Sequence, residues 1–178
     1  MEPGEIMTIG HSTRPLVELI GILQAFKVTL LTDVRSVPRS RHNPQFNKDT
    51  LPDALWGAGI GYEHMAGLGG LRHSGLRNSP NTGWHNASFR SYADYMQTPD
   101  FAKALNELIE TAIRERVALM CAETLPWRCH RTLIADALIV RGLDVKHIFD
   151  ISHWQKHMLT PWALVDGLRI SYPPVSSA

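Results

Sequence analysis

The sequence predicts a three-layer α/β fold: a mainly parallel sheet with helices on both faces, Rossmann-like in arrangement. Two observations carry this expectation. Apolar bursts alternate with amphipathic stretches along the chain, which is the pattern of strands joined by crossover helices. A length of 178 residues, 44% of them hydrophobic and 20% charged, suits one domain with a substantial core. The expected organisation is a single α/β domain over 1–178, with its core at about 5–150 and a C-terminal packing segment over 151–178.

The first burst, Ile6 to Ile9, ends at Gly10-His11-Ser12-Thr13. A helix follows, with Ser12 or Thr13 as its cap, Pro15 in its first turn and an apolar stripe of Leu16, Leu19, Ile20 and Leu23. Leu30 to Val34 is the second strand and runs into Arg35. Residues 36–47 form a polar loop, and Leu51 to Trp56 a short helix stopped by Gly57 and Gly59. Ile60 to His64 is a third strand. The stretch 66–87, rich in Gly, Asn, Ser and Pro, is a long loop with a turn at Pro80-Asn81-Thr82-Gly83. Phe89, Tyr92, Ala93 and Met96 share one face of a helix capped by Ser88. Thr98-Pro99 opens the next helix, whose stripe is Phe101, Ala104, Leu105, Leu108, Ile109, Ala112 and Ile113. Val117 to Cys121 is a buried strand, Cys129 to about Arg141 a helix ended by Gly142, and Val145 to Phe149 a last strand. The tail after Asp150 is expected to be packing and loop.

Each strand ends in polar chemistry: His11-Ser12, Asp33 and Arg35, Glu63-His64, Cys121 and Glu123, His147 and Asp150. In a parallel sheet, ligands bind beyond the carboxyl ends of the strands, so these residues are expected on one rim. A balance of 18 Lys+Arg against 17 Asp+Glu hides an uneven distribution. Residues 34–48 carry Arg35, Arg39, Arg41, His42 and Lys48 without an acid, and residues 64–93 carry Arg72, Arg77 and Arg90 without one. Guanidinium groups in such loops suit phosphate or carboxylate recognition; solvated loop arginines are the plainer alternative. Phe46, Tyr62, Trp84, Phe89 and Trp127 lie in or beside these loops, where aromatic faces can stack on bases. Core packing is expected for Tyr62 and Phe89, exposure for Phe46 and Trp84.

The most specific string is Cys121-Ala122-Glu123, followed by Pro126-Trp127-Arg128 and then Cys129-His130-Arg131 at a helix start. The helix dipole and two arginines favour the thiolate of Cys129, a candidate nucleophile, although a small buried packing residue fits the same position. His130 is a candidate base, Arg131 an anion anchor, and Glu123 either a general acid/base or an ion-pair partner. The spacing of Cys121 and Cys129 fits neither the usual zinc motifs nor a Cys-x-x-Cys redox pair, so no metal ligand is assigned and the cofactor stays open. Two cysteines are too few for a disulfide scaffold, and no apolar run approaches a membrane span. Met1 to Glu5 lacks the regions of a signal peptide, so a cytoplasmic protein without a membrane partner is expected.

Thr8-Ile9-Gly10-His11-Ser12, Asp33-Val34-Arg35 with Pro38-Arg39-Ser40-Arg41 and Phe46, Leu68-Gly69-Gly70, Cys121-Ala122-Glu123 and Cys129-His130-Arg131 occur in this order. Together they resemble the domain of unknown function 488 family over about residues 5–150. The resemblance implies a compact α/β domain and marks His11, Ser12, Asp33, Arg35, Arg39, Arg41, Glu123, Cys129, His130 and Arg131 as signature positions, without implying a reaction. The functional expectation is an enzyme acting on a phosphate-bearing substrate, a nucleotide or nucleic acid. In it Cys129, Glu123, His11, His130 and Asp33 are the catalytic candidates, and Arg35, Arg39, Arg41, Arg131 and Ser12 bind the anionic partner. A noncatalytic nucleic-acid-binding module, and a metal- or thiol-dependent enzyme, are the alternatives.

Overall fold

The computed structural model describes residues 4–73 and 76–176; Met1 to Pro3, Ser74, Gly75, Ser177 and Ala178 lie outside it, and with them most of the N-terminal stretch read for a leader. The apolar bursts pair side by side as predicted. Strands β1 (Glu5–Gly10), β2 (Leu30–Asp33), β3 (Gly61–His64), β4 (Val117–Cys121), β5 (Asp144–Ile148) and β6 (Trp154–Lys156) form one sheet in the order β3-β2-β4-β1-β5-β6. All neighbours run parallel except β5 and β6.

Alternation along the strands divides the interior into two layers. Met7, Ile9, Leu31, Ala118, Met120 and Ile148 face α1 (Leu16–Ala25) and α2 (Leu51–Gly57). Ile6, Val117, Leu119, Cys121 and Val145 face the layer of α3 (Ala87–Tyr95), α4 (Pro99–Arg114) and α5 (Arg131–Val140). The result is the three-layer, Rossmann-like α/β fold that the sequence predicts.

The topology positions the site. Strands β1 and β4 are neighbours, yet the chain leaves β1 for α1 on one face and β4 for α5 on the other. Connections that diverge from adjacent strands open a crevice between their carboxyl ends, which is where ligands bind in open α/β sheets. Two glycine strings let the backbone close around it. A Cβ on Gly10 would stand 1.9 Å from the Glu123 carbonyl oxygen, so the loop after β4 crosses directly over the end of β1. One on Gly70 would stand 2.6 Å from Nδ1 of His130, so the Leu68-Gly69-Gly70 turn lies against that ring.

Several element ends differ from expectation. Ser12 has a left-handed backbone (φ 49°), and α1 begins after Pro15 with no side-chain cap, because residues 11–14 turn sharply between β1 and the helix. Asn86, not Ser88, caps α3, its Oδ1 accepting from the Ser88 and Phe89 amides; Thr98 caps α4 as expected. Ile113 is 74% exposed because α4 is ending there. The tail is more ordered than packing and loop: β6 extends the sheet, and β7 (Leu164–Asp166) pairs with β8 (Arg169–Ser171) in a hairpin turned at Gly167, whose φ is 62°.

Gly10→Ala is expected to lower the unfolding free energy by about 3 kcal/mol, because backbone rather than a movable side chain blocks the new methyl. Urea denaturation against wild type measures it, with Gly21→Ala, which meets nothing within 4 Å, as a control expected near neutral or better.

Candidate functional site

At the crevice lies a cavity of about 610 Å³. His11, Ser12, Arg35, Arg39, Glu123, Cys129 and His130 line it, so seven of the ten expected site residues meet there, joined by Cys121 and Arg128. Asp33 and Arg131 lie fully buried behind its wall, and Arg41 is exposed outside it.

The thiols form its floor. Cys121 ends β4 and Cys129 precedes α5, and their Sγ atoms are 2.8 Å apart, both buried and free. Nδ1 of His130 lies 3.4 Å from Cys129 Sγ, while its Nε2 lies 2.8 Å from the Val34 carbonyl oxygen. A carbonyl only accepts, so Nε2 carries a hydrogen and Nδ1 is the ring nitrogen that faces the thiol. Burial opposes ionisation of Cys129. Hydrogen bonds from Cys121 and His130 and the charges of His130 and Arg131 outweigh it and hold the thiol well below its usual range. Burial and the hydrogen bond to Cys129 push Cys121 up, so the pair carries one negative charge, with Cys121 donating to the Cys129 thiolate.

Arg131, expected to anchor an external anion, faces inward instead. With no exposed surface, it donates from Nε to Cys121 Sγ (2.9 Å), from Nη1 to Thr8 Oγ1 (3.0 Å) and from Nη2 to the Glu123 and Thr124 carbonyls. From Thr8 a chain of hydrogen bonds continues through the core: Thr8 Oγ1 to His147 Nδ1 (2.7 Å), His147 Nε2 to His157 Nδ1 (2.9 Å), His157 Nε2 to Asp136 Oδ1 (2.7 Å). Arg131 donates into this chain at Thr8 and the Asp136 carboxylate accepts at its far end, so the chain runs from a buried cation to a buried carboxylate. Burial, reinforced by the charges of His157 and Arg131, brings His147 down to about 3. The Thr160 amide and the Tyr172 hydroxyl complete the shell of Asp136.

On the other face of the sheet, Arg35 grips Asp33 with a two-pronged contact (Nε to Oδ1 2.9 Å, Nη2 to Oδ2 2.7 Å) and donates to the Phe46 carbonyl. Tyr62 donates its hydroxyl to Asp33 as well; burial and that contact raise its pKa. Nη1 of Arg35 reaches His11 Nε2 at 3.3 Å, and His11 Nδ1 donates to the Ser12 carbonyl at 2.7 Å. Burial, against the Ser12 contact and with the charge of Arg35, brings His11 down to about 4, so it is a neutral ring with both nitrogens engaged. Among the described residues one Nη1 N–H of Arg35 has no partner, and Arg35 lines the cavity.

Other expectations change. Phe46 is buried rather than exposed because its ring stacks on His11 at 4.4 Å and its carbonyl holds Arg35. Trp84 is half-buried against Phe89, Trp162 and Tyr172. Arg72 lies over the Tyr95 ring and bonds the Ala66 and Gly69 carbonyls, and Arg90 bonds the Trp84 carbonyl, so these loop arginines hold their own loop together. His64 bonds the Arg35 carbonyl and Glu63 the Thr32 hydroxyl, outside the cavity. Sequence reasoning did not single out Arg128 for binding, although its string pointed there, and missed Asp136, His157, Thr160 and Tyr172, which no local pattern links. Among the described residues no group of three His, Cys, Asp or Glu is arranged to hold a metal ion, and no helix is long and apolar enough to cross a membrane.

The neutral buried histidines make stability fall in acid. Below about pH 6.5 the unfolded chain protonates His11 and His147, whereas the folded chain does so only near 4 and 3, so the unfolded state binds more protons. At pH 5 each contributes about 2 kcal/mol of destabilisation relative to neutral pH. Thermal or urea unfolding between pH 7.5 and 5 measures this. His147→Gln should lower stability at pH 7.5 yet flatten the fall by about the share of one histidine.

No curated protein and no solved structure matches the chain. The family model described as domain of unknown function DUF488 matches residues 15–138. That span takes in the Asp33–Arg35 and Pro38–Arg41 strings, the Gly69-Gly70 turn and both cysteine strings, and leaves Thr8–Ser12 just outside. It covers more than half of the chain, and the chain belongs to the DUF488 family.

Proposed function

We propose that the protein is an enzyme that acts on a phosphate-bearing substrate through the Cys129 thiolate, at the carboxyl rim of the sheet. One observation carries this reading: Cys129 Sγ lies on the floor of an arginine-lined cavity, beside Nδ1 of a His130 ring whose Nε2 is committed to the Val34 carbonyl.

In this reading the Cys129 thiolate, its proton held on His130 Nδ1, bonds to the electrophilic atom of the substrate. The displaced group leaves with the proton from His130; water then attacks the same atom, gives a proton back to His130 Nδ1 and breaks the bond to sulfur, which restores the Cys129 thiolate. Cys121 and Arg131 stabilise the thiolate before attack, Cys121 through its S–H and Arg131 through Nε on Cys121 and its backbone amide on Cys129. The free Nη1 hydrogen of Arg35, with Arg39 and Arg128, holds the phosphate. Glu123, exposed at the mouth, exchanges protons with solvent. Asp33 and His11 act as positioning residues because their polar atoms are committed to Arg35 and Ser12. A noncatalytic nucleic-acid-binding module would use Arg39 and Arg41 on the same rim but gives no reason for a thiol held below its usual pKa.

Iodoacetamide alkylation mapped to Cys129 tests the thiolate. Its rate at pH 7 should lie within about threefold of that at pH 9, where an ordinary thiol changes by about 25-fold. Phosphate-bearing ligands should slow it. For any such compound the protein turns over, Cys129→Ser should reduce kcat/KM at least about a thousandfold; wild-type turnover in that variant, or the pH response of a free thiol, sinks the reading.

A further inference from the structure

A second cavity, of about 670 Å³, opens beside the first, and Phe89, Glu123 and Arg128 line both. Its character is different: Trp84, Trp127 and Trp162 are among its walls. Trp84 meets Phe89 edge-on at 5.1 Å and Trp162 at 4.9 Å, and tilts against Tyr172 at 5.4 Å, so two of the indoles belong to a braced aromatic block. Trp127, 53% exposed, touches one ring, Phe149, at 6.2 Å and keeps aromatic surface open.

We propose that this aromatic cavity is the base-binding half of the substrate site, so that the phosphate-bearing substrate is a nucleotide. The inference rests on the reading of the thiol cavity as a phosphate site. Three features of the ligand follow from the walls. It has a flat π-face, since stacking on indole is what distinguishes such a pocket from a plain apolar one. It carries polar groups on that ring, because His85 and Asn86 line the cavity beside the indoles and an aliphatic guest would bury them without a polar contact. It is anionic at the end toward the thiols, because Arg35, Arg39 and Arg128 line that half and Glu123 is the single acid lining either cavity among the described residues. A nucleobase with ring nitrogens or carbonyls, joined through its sugar to a phosphate, has all three features. Arg128, shared by both halves, stands where base site and phosphate site meet.

Isothermal titration calorimetry of the full chain with the four common nucleoside 5′-monophosphates, their nucleosides, ribose 5-phosphate and inorganic phosphate tests this, with tryptophan fluorescence as a second readout. At least one monophosphate should bind about tenfold or more tightly than ribose 5-phosphate and quench the fluorescence. Trp127→Ala, at a half-exposed position, should reduce that nucleotide to the affinity of ribose 5-phosphate and leave ribose 5-phosphate itself unchanged. His85→Ala, which keeps the indoles and removes a polar group from the wall, should weaken the nucleotide severalfold. If all four monophosphates bind no more tightly than ribose 5-phosphate, or neither variant affects them, the base site is wrong and the phosphate reading survives. If nucleosides bind as tightly as their monophosphates, the base site stands and the phosphate reading falls. Failure of every probe to bind overturns both.

Discussion

A guanidinium with no exposed surface is the constraint around which this molecule is arranged. Arg131 cannot lose its proton, and leaving a buried charge unpaired costs about 3–5 kcal/mol. Its donors therefore dictate what surrounds it. Nε calls for the thiol pair, Nη1 for a hydroxyl on β1, and Nη2 for two carbonyls in the loop after β4. Bringing those carbonyls within reach draws the loop across the end of β1, which is why residue 10 has no room for a side chain. The same cation favours the thiolate, so the requirement to pair a buried charge also helps hold Cys129 below its usual pKa range.

The topological switch explains why two clusters with different chemistry share one cavity. Alternate residues of a strand point to opposite layers, so Asp33 falls on the α1–α2 side with Phe46 and Tyr62, and Cys121 on the α5 side with Arg131. The clusters are separate through the body of the sheet and converge where β1 and β4 end. The cation of the first is held by a two-pronged carboxylate and lines the cavity with one N–H that has no partner among the described residues; the cation of the second is wholly internal. Of two arginines that look alike in the sequence, one faces the cavity and the other stabilises its floor.

Strand identity, layer count and the rim of polar residues were legible because each follows from a local pattern: a continuous apolar burst, a 3.6-residue stripe, a polar residue just past a strand. The inward turn of Arg131 was not, since a cation at a helix start reads equally well as an anchor for a ligand or for a thiol. Phe46, set among Asn, Gln and His, reads as exposed, yet stacking on His11 removes it from solvent. The hairpin at Asp166-Gly167 carried a turn signal, but its flanking strands are three residues long and mostly exposed, too short for a two-residue period to register.

The C-terminal segment shows the limit of local patterns most clearly. Asp136 lies on α5, a helix whose residues from Arg131 to Leu138 are all buried, and a carboxylate there needs donors that the helix itself cannot provide. His157, the Thr160 amide and the Tyr172 hydroxyl provide them, all from beyond β5. Tyr172 is tied in turn through its amide to Asn81 and, through Asn81, to Asp94 on α3. Removing the segment would leave Asp136 without three donors and would end the chain of protons at His147. The residues after 150 are thus part of the same electrostatic unit as the cysteines, because the charge on Arg131 is balanced at one end by sulfur and at the other by a carboxylate that only this segment completes.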